Sequence, residues 1–171
     1  MIWTWIDTPL GPMLAMSAGD ALAGLHFHDE KYVPDIDTGW RRSDRLPLFM
    51  QTRAEMAEYF GGERRRFELP LAPEGTDWRR RVWAVLVTIP YGATTSYGAM
   101  AATLGNRNAS RAVGAANGRN PIAVVIPCHR AIGADGSLTG YAGGLGRKQA
   151  LLRLERGAPG SGSQADLDQR P

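Results

Sequence analysis

A chain of 171 residues with 43% hydrophobic and 22% charged side chains has the length and balance of one large or two small soluble globular domains. No apolar run reaches the roughly 18 residues a membrane-spanning helix needs. The single cysteine excludes an internal disulfide and any zinc site built on several thiolates, and it favours a reducing, cytoplasmic setting. The net charge of +3 is unevenly spread: residues 1–75 carry 8 Lys+Arg against 12 Asp+Glu, whereas residues 76–158 carry 11 against 3. A basic second half suits a polyanionic partner, although 18 of the 20 basic residues are Arg, a bias that base composition alone also produces.

The first 23 residues end in a signal-like Ala21-Leu22-Ala23, but no basic start precedes them and Asp7, Pro9 and Pro12 interrupt the run. They read instead as strands. Ile2, Thr4 and Ile6 alternate with Trp3 and Trp5, and Thr8-Pro9-Leu10-Gly11-Pro12 turns the chain. Further strands follow over Met13–Ser17 and Ala21–His28. Residues 29–46 are polar and irregular. Leu48, Gln51/Thr52, Glu55/Met56 and Tyr59 then recur at helical spacing from Pro47 to Phe60, and Gly61-Gly62 ends the run. Arg66–Pro70 reads as one more strand. Residues 1–75 thus form a small mixed sheet-plus-helix domain with no chemistry in view.

A second, mainly helical domain is expected over residues 76–156, so that the chain as a whole is α+β. Thr76 or Asp77 caps a helix to Thr88, with Trp78, Val82, Val85/Leu86 and Ile89 as its apolar stripe. Pro90-Tyr91-Gly92 breaks it. Ser96 opens a short helix that Gly105 closes, and Asn108 or Ser110 starts another that runs to Asn117. Two short helices across a glycine turn have the helix-turn-helix pattern, which any αα-hairpin shares. The second of them is built of small residues, Ala109 to Gly118, with Arg111 projecting. That composition fits either tight packing inside the domain or a helix lying flush on a nucleic-acid groove. Residues 157–171, rich in Gly, Ser, Pro and Asp, are expected to form a mobile tail.

The apolar run Val124-Val125-Ile126 reads as a buried strand that delivers Pro127-Cys128-His129-Arg130, with Pro127 ending the ladder and the thiol at a turn. A thiol attacks only as thiolate, and its reference pKa is about 8.5. His129 and Arg130 follow it directly and can supply a base, through a water, or a positive field. The plainer readings are a buried small hydrophobe for Cys128, a structural histidine and a solvated charge.

The flanks make the motif specific. Asn120-Pro121, five residues, Pro127-Cys128-His129-Arg130, then Tyr141-Ala142-Gly143-Gly144 and Leu152-x-x-Glu155 resemble the O6-alkylguanine-DNA alkyltransferases, the methylated-DNA–protein-cysteine methyltransferases. The likeness runs from about Thr76 through Glu155, and the Thr8–Pro12 turn resembles bacterial members.

The resemblance implies direct reversal of DNA damage. An alkyl group on O6 of guanine, with O4-alkylthymine a second candidate, would pass to Cys128 in a single turnover without any cofactor. His129 would take the thiol proton, Glu155 would hold His129 in the productive tautomer, and Asn120 would hinge the DNA-reading helix to the active-site strand. Tyr97 would crowd the phosphate beside the target and donate to the guanine ring. Arg111 would fill the stack left by the flipped base, Tyr141, Ala142, Gly143 and Gly144 would wall the pocket, and Arg130 would join the substrate contacts. The partner implied is double-stranded alkylated DNA, read from the minor groove by a monomer that can cluster on it. Relatives with a metal in the first domain use two cysteines there, and this chain has none, so no metal is expected. Ala142 stands where some relatives carry Ser. Two rivals remain on the residues alone: a DNA-binding protein without chemistry, and a cysteine hydrolase using Cys128 and His129.

Overall fold

The computed structural model describes residues 1–157, so the expected mobile tail lies outside the described residues except for Gly157. The chain begins as a sheet: β1 (Ile2–Ile6), β2 (Met13–Ala18) and β3 (Ala21–Phe27) pair antiparallel in sequence. The alternation in β1 holds, with Thr4 and Ile6 fully buried while Trp3 and Trp5 are half-buried. Proline pre-sets the second position of the turn that follows. Thr8 Oγ1 donates to Gly11 O (2.6 Å) and accepts from Leu10 N (3.2 Å), and Gly11 N closes on Thr8 O (3.0 Å).

Two details of this half differ from expectation. The irregular stretch contributes a two-residue strand, β4 (Arg41–Arg42), parallel to β1 and giving the order β3-β2-β1-β4. Two exposed arginines carry no strand pattern. The strand expected at Arg66–Pro70 does not form: Pro70 has no N–H to give a ladder, and Glu68 N donates to the Glu55 carboxylate (2.8 Å). Only a single bridge, Leu22 to Leu71, remains there. Helix α1 (Pro47–Phe60) has Pro at its start and buries Leu48, Phe49, Met56 and Tyr59 in the core.

In the second half, α2 (Asp77–Val87) is capped by Thr76, whose side chain accepts from Arg79 N. The sequence pattern missed Trp83, which is 2% exposed, donates to Ala116 O (2.9 Å) and lies under Gly75, where a Cβ would meet its ring at 2.5 Å. After β5 (Thr95–Ser96), Ser96 caps α3 (Tyr97–Thr103) by accepting from Ala99 N (3.0 Å). Gly105, at φ +81°, turns the chain, and α4 (Ser110–Asn117) packs against both α2 and α3. Beyond it β6 (Ala131–Ile132) pairs parallel with β5, and α5 (Leu145–Glu155) closes the domain. One core runs through both halves, from Leu25 and Phe27 through Phe49, Met56 and Tyr59 to Val82, Leu86, Val113 and Leu151. The seam is also bonded: Leu25 N donates to Pro121 O (2.9 Å) and Ala123 N to Leu25 O (2.8 Å).

Candidate active site

The run before the cysteine is buried as expected, but it is not a strand. Ile122 makes one bridge to Leu25, and the chain then folds through two tight turns. Val125 N bonds Ala123 O (2.9 Å) across Val124, whose φ of +71° is unusual for a β-branched residue. Cys128 N bonds Ile126 O (2.8 Å) across Pro127 at φ −81°, ψ 63°, the inverse γ geometry that a proline ring favours. A short apolar run cannot itself distinguish a buried strand from a buried turn. Cys128 thus opens a one-turn 3-10 helix, Cys128–Arg130, in which all three side chains are buried.

Asn120 fixes this loop. Its Nδ2 donates to Ile126 O (2.8 Å) and to Cys128 Sγ (3.0 Å), and its Oδ1 accepts from Ile122 N (3.0 Å). The thiol is 6% exposed, and burial pushes its pKa up to about 11. The Asn120 bond and then the positive charge of Lys148 work in the opposite direction. The thiol therefore rests protonated at pH 7 before a substrate arrives.

His129 is fully buried and its Nε2 lies 2.7 Å from Glu155 Oε1. Burial raises the Glu155 pKa, but bonds from His129, Arg130 and Tyr59 outweigh it and hold the carboxyl down at about 2. An ionised carboxylate only accepts, so the proton of neutral His129 sits on Nε2. Burial lowers the histidine pKa and favours that neutral form. Its Nδ1 is buried without a partner among the described residues, which leaves a lone pair to take a proton.

Arg130 is buried, not a solvated charge. Its guanidinium makes a fork onto Glu155 (Nε to Oε2 and Nη2 to Oε1, both 2.9 Å), and Nη1 donates to Ile89 O (2.6 Å). Those three donors are committed to the protein, so Arg130 anchors Glu155. Tyr59 OH, from α1, also donates to Glu155 Oε1 (2.7 Å). The first domain therefore reaches the site that its sequence gave no sign of touching.

The cation whose charge lowers the thiol pKa is Lys148, which sequence reasoning missed. It is fully buried, no carboxylate among the described residues lies within 4 Å of it, and its Nζ donates to Ala131 O (2.6 Å), Thr139 O (3.0 Å) and Tyr97 OH (3.4 Å). Burial brings its pKa down to about 8. Lys148, Leu151, Leu152 and Glu155 share one helical face at i, i+3, i+4 and i+7, and a lysine on that apolar stripe was the available signal. Tyr97 OH donates to Thr139 O (2.9 Å). Tyr97 and Arg111 line one shallow surface depression with Gly98, Ser110, Gly114 and Ala134. Arg111, Ala112 and Ala115 are exposed on α4, and a Cβ at Gly114 would meet nothing within 4 Å. Tight packing inside the domain therefore does not explain that glycine.

Tyr141 comes close enough to Cys128 and Glu30 for their negative charges to add to the burial that raises its pKa, and its buried hydroxyl has no partner among the described residues. The carbonyls of Tyr141, Ala142 and Gly143 already accept from Gly144 N (2.9 Å), Lys31 N (3.1 Å) and Arg147 Nη1 (3.0 Å). A separate groove of about 560 Å³, lined by Arg65, Arg66, Tyr91, Pro127 and Arg130 among others, does not include the thiol.

This arrangement has known counterparts. The family model described as 6-O-methylguanine DNA methyltransferase, DNA binding domain, matches residues 77–157, and the ribonuclease-like domain of the same family matches residues 1–73. The chain belongs to the 6-O-methylguanine DNA methyltransferase family. It is 48% identical to a methylated-DNA–protein-cysteine methyltransferase of Mycolicibacterium paratuberculosis, over 88% of this chain and 90% of that one. The corresponding protein of Methanosarcina acetivorans is 43% identical over 91% and 98%. Among solved structures, Mycobacterium tuberculosis OGT in complex with DNA superposes with a TM-score of 0.84 at 43% identity, covering 92% of this chain and 94% of that one. As a member of this family the chain is a methyltransferase, and Cys128 is its one thiol.

Proposed function

We propose that the chain repairs alkylated duplex DNA by moving the alkyl group from O6 of guanine to Cys128 Sγ, once per molecule. The observation that carries this reading is the thiol held by Asn120 within the field of the buried Lys148, with the Nδ1 of a buried neutral histidine, unpartnered among the described residues, in the same helical turn. The thiol proton leaves for His129 Nδ1 through a water, and the imidazolium is stabilised by Glu155. Sulfur attacks the alkyl carbon, the C–S bond forms and the C–O6 bond breaks. Guanine leaves as an anion and takes a proton from Tyr97, which Lys148 Nζ at 3.4 Å replenishes. A thioether has no proton to lose and is a poor leaving group, so the product stays on Cys128.

In this reading α3 and α4 form the helix-turn-helix of a DNA-binding unit that begins at Thr76, after a first unit ending at Gly75. The open, small-residue face of α4 lies along the minor groove. Arg111 fills the stack while the target base is flipped toward Cys128, at an unstacking cost of a few kcal/mol. The test is Cys128→Ser with alkyl-labelled duplex. A hydroxyl is a far poorer nucleophile near neutral pH, so label transfer should vanish while DNA binding persists. Transfer at the wild-type rate would overturn the assignment.

A further inference from the structure

Resting on that reading of Cys128, we infer that Arg147 and the segment Phe27–Lys31 form a latch that sets the depth of the alkyl pocket. The latch holds the Tyr141–Gly144 wall from behind. The wall has little to hold itself. Ala142, Gly143 and Gly144 have almost no side chain, and the Tyr141 hydroxyl makes no bond. Its one internal tie is Gly144 N to Tyr141 O (2.9 Å). Its remaining bonds come from outside, one of them from α5, where Lys148 N donates to Gly144 O (3.2 Å). Lys31 N donates to Ala142 O (3.1 Å). Arg147 ties three parts of the chain at once, with Nε on Leu10 O (2.8 Å) and Nη1 on both Asp29 Oδ1 (2.6 Å) and Gly143 O (3.0 Å). The guanidinium also lies 4.4 Å from the centre of the Phe27 ring, and a Cβ on Gly143 would come within 2.9 Å of that ring and of the Tyr141 ring.

This assigns work to the Thr8–Gly11 turn, which the mechanism leaves unused. Gly11 sits at φ +107°, and a Cβ there would lie 3.2 Å from Arg147 Nη2, so glycine lets the turn present Leu10 O to the guanidinium without strain. Arg147 is 18% exposed, and its planar fork suits several fixed acceptors in a way a lysine does not. A segment held mainly by such outside bonds opens locally once they are cut. The wall then recedes, and an O6 substituent larger than methyl enters with less strain. Arg147 is a positioning residue: it acts on the adduct through the wall.

The experiment compares wild type with Arg147→Ala and with the milder Asp29→Asn, which removes only the carboxylate charge. Two quantities are read: amide hydrogen exchange across residues 139–155, and rates of Cys128 thioether formation with O6-methylguanine and O6-benzylguanine as free bases. In Arg147→Ala, exchange at residues 141–144 should rise while the last turns of α5 stay protected. The benzyl-to-methyl rate ratio should rise by about tenfold, the lower end of what a fitted apolar pocket exerts per methylene. Asp29→Asn should move both the same way by less. Equal slowing of both bases, or faster exchange with an unmoved ratio, would overturn the latch. Absence of transfer in every protein, wild type included, would instead sink the acceptor reading, with the exchange data still reporting the wall.

Discussion

Glu155→Gln should cost this protein a large share of its stability, because the carboxylate is 5% exposed and accepts five hydrogen bonds, from His129, Tyr59, Gly92 and twice from Arg130. An amide of nearly the same shape keeps one acceptor oxygen and turns an NH2 toward groups that are themselves donors. Arg130, only 7% exposed, then retains Ile89 O but loses its countercharge. Breaking one side of a buried ion pair costs about 3–5 kcal/mol, against a typical total of about 5–15. With an m of about 2 kcal/mol/M in urea, the midpoint should fall by about 2 M. The pH dependence gives a second readout. The folded pKa of Glu155, about 2, lies below its ordinary 4.5, so its contribution is complete above about pH 4.5 and is lost as pH falls toward 2. The gap between wild type and variant should therefore close on acidification through that window. His129 also loses the partner of its imidazolium, so alkylation of Cys128 should slow at pH 7. Urea unfolding at pH 7 and at pH 3, with the pH–rate profile of thiol alkylation, checks all three. A midpoint shift under about 0.3 M with an unchanged profile would mean that Glu155 merely ends a surface helix.

Three further outcomes are expected. Lys148→Met removes the cation whose charge lowers the thiol pKa, so the Cys128 pKa should rise further and the alkylation rate at pH 7 should fall, with the profile displaced to higher pH; an unchanged profile would remove Lys148 from the site. Arg111→Ala should slow repair of duplex DNA far more than reaction with a free alkylated base, which has no stack to fill; equal losses would assign Arg111 to the pocket. Methylated protein, freed of product DNA, should be less stable than the thiol form. An added methyl overpacks the buried site by about 1–3 kcal/mol and, in place of the thiol hydrogen, crowds the sulfur that accepts from Asn120. Its Tm should fall by roughly 2–12 °C, and an equal or higher Tm would refute the overpacking.

Much of this was legible in the residues. Thr76 and Ser96 cap the helices they were expected to start, and Gly105 turns where a left-handed residue was needed. Asn120, His129 and Glu155 meet around the thiol loop because motif spacing carries short-range geometry. What stayed hidden depends on distant partners. Tyr59 reaches Glu155 across 96 positions, and Trp83 is hidden under Gly75 and α4. Arg130 reads as a free charge until Ile89 O and Glu155 are seen to occupy it. Lys148 reads as an ordinary polar helix residue unless its place on the apolar face is counted. Val124–Ile126 reads as a strand because burial alone produces the same apolar run.

The sacrificial thiol is tested most directly by stoichiometry. Purified protein is incubated with an excess of duplex carrying labelled O6-methylguanine. The label on protein is then counted at completion, and free thiol is titrated in parallel. One methyl group per Cys128, with loss of the free thiol, is the expected result. More than one methyl group removed from DNA per molecule, with the thiol regenerated, would contradict it.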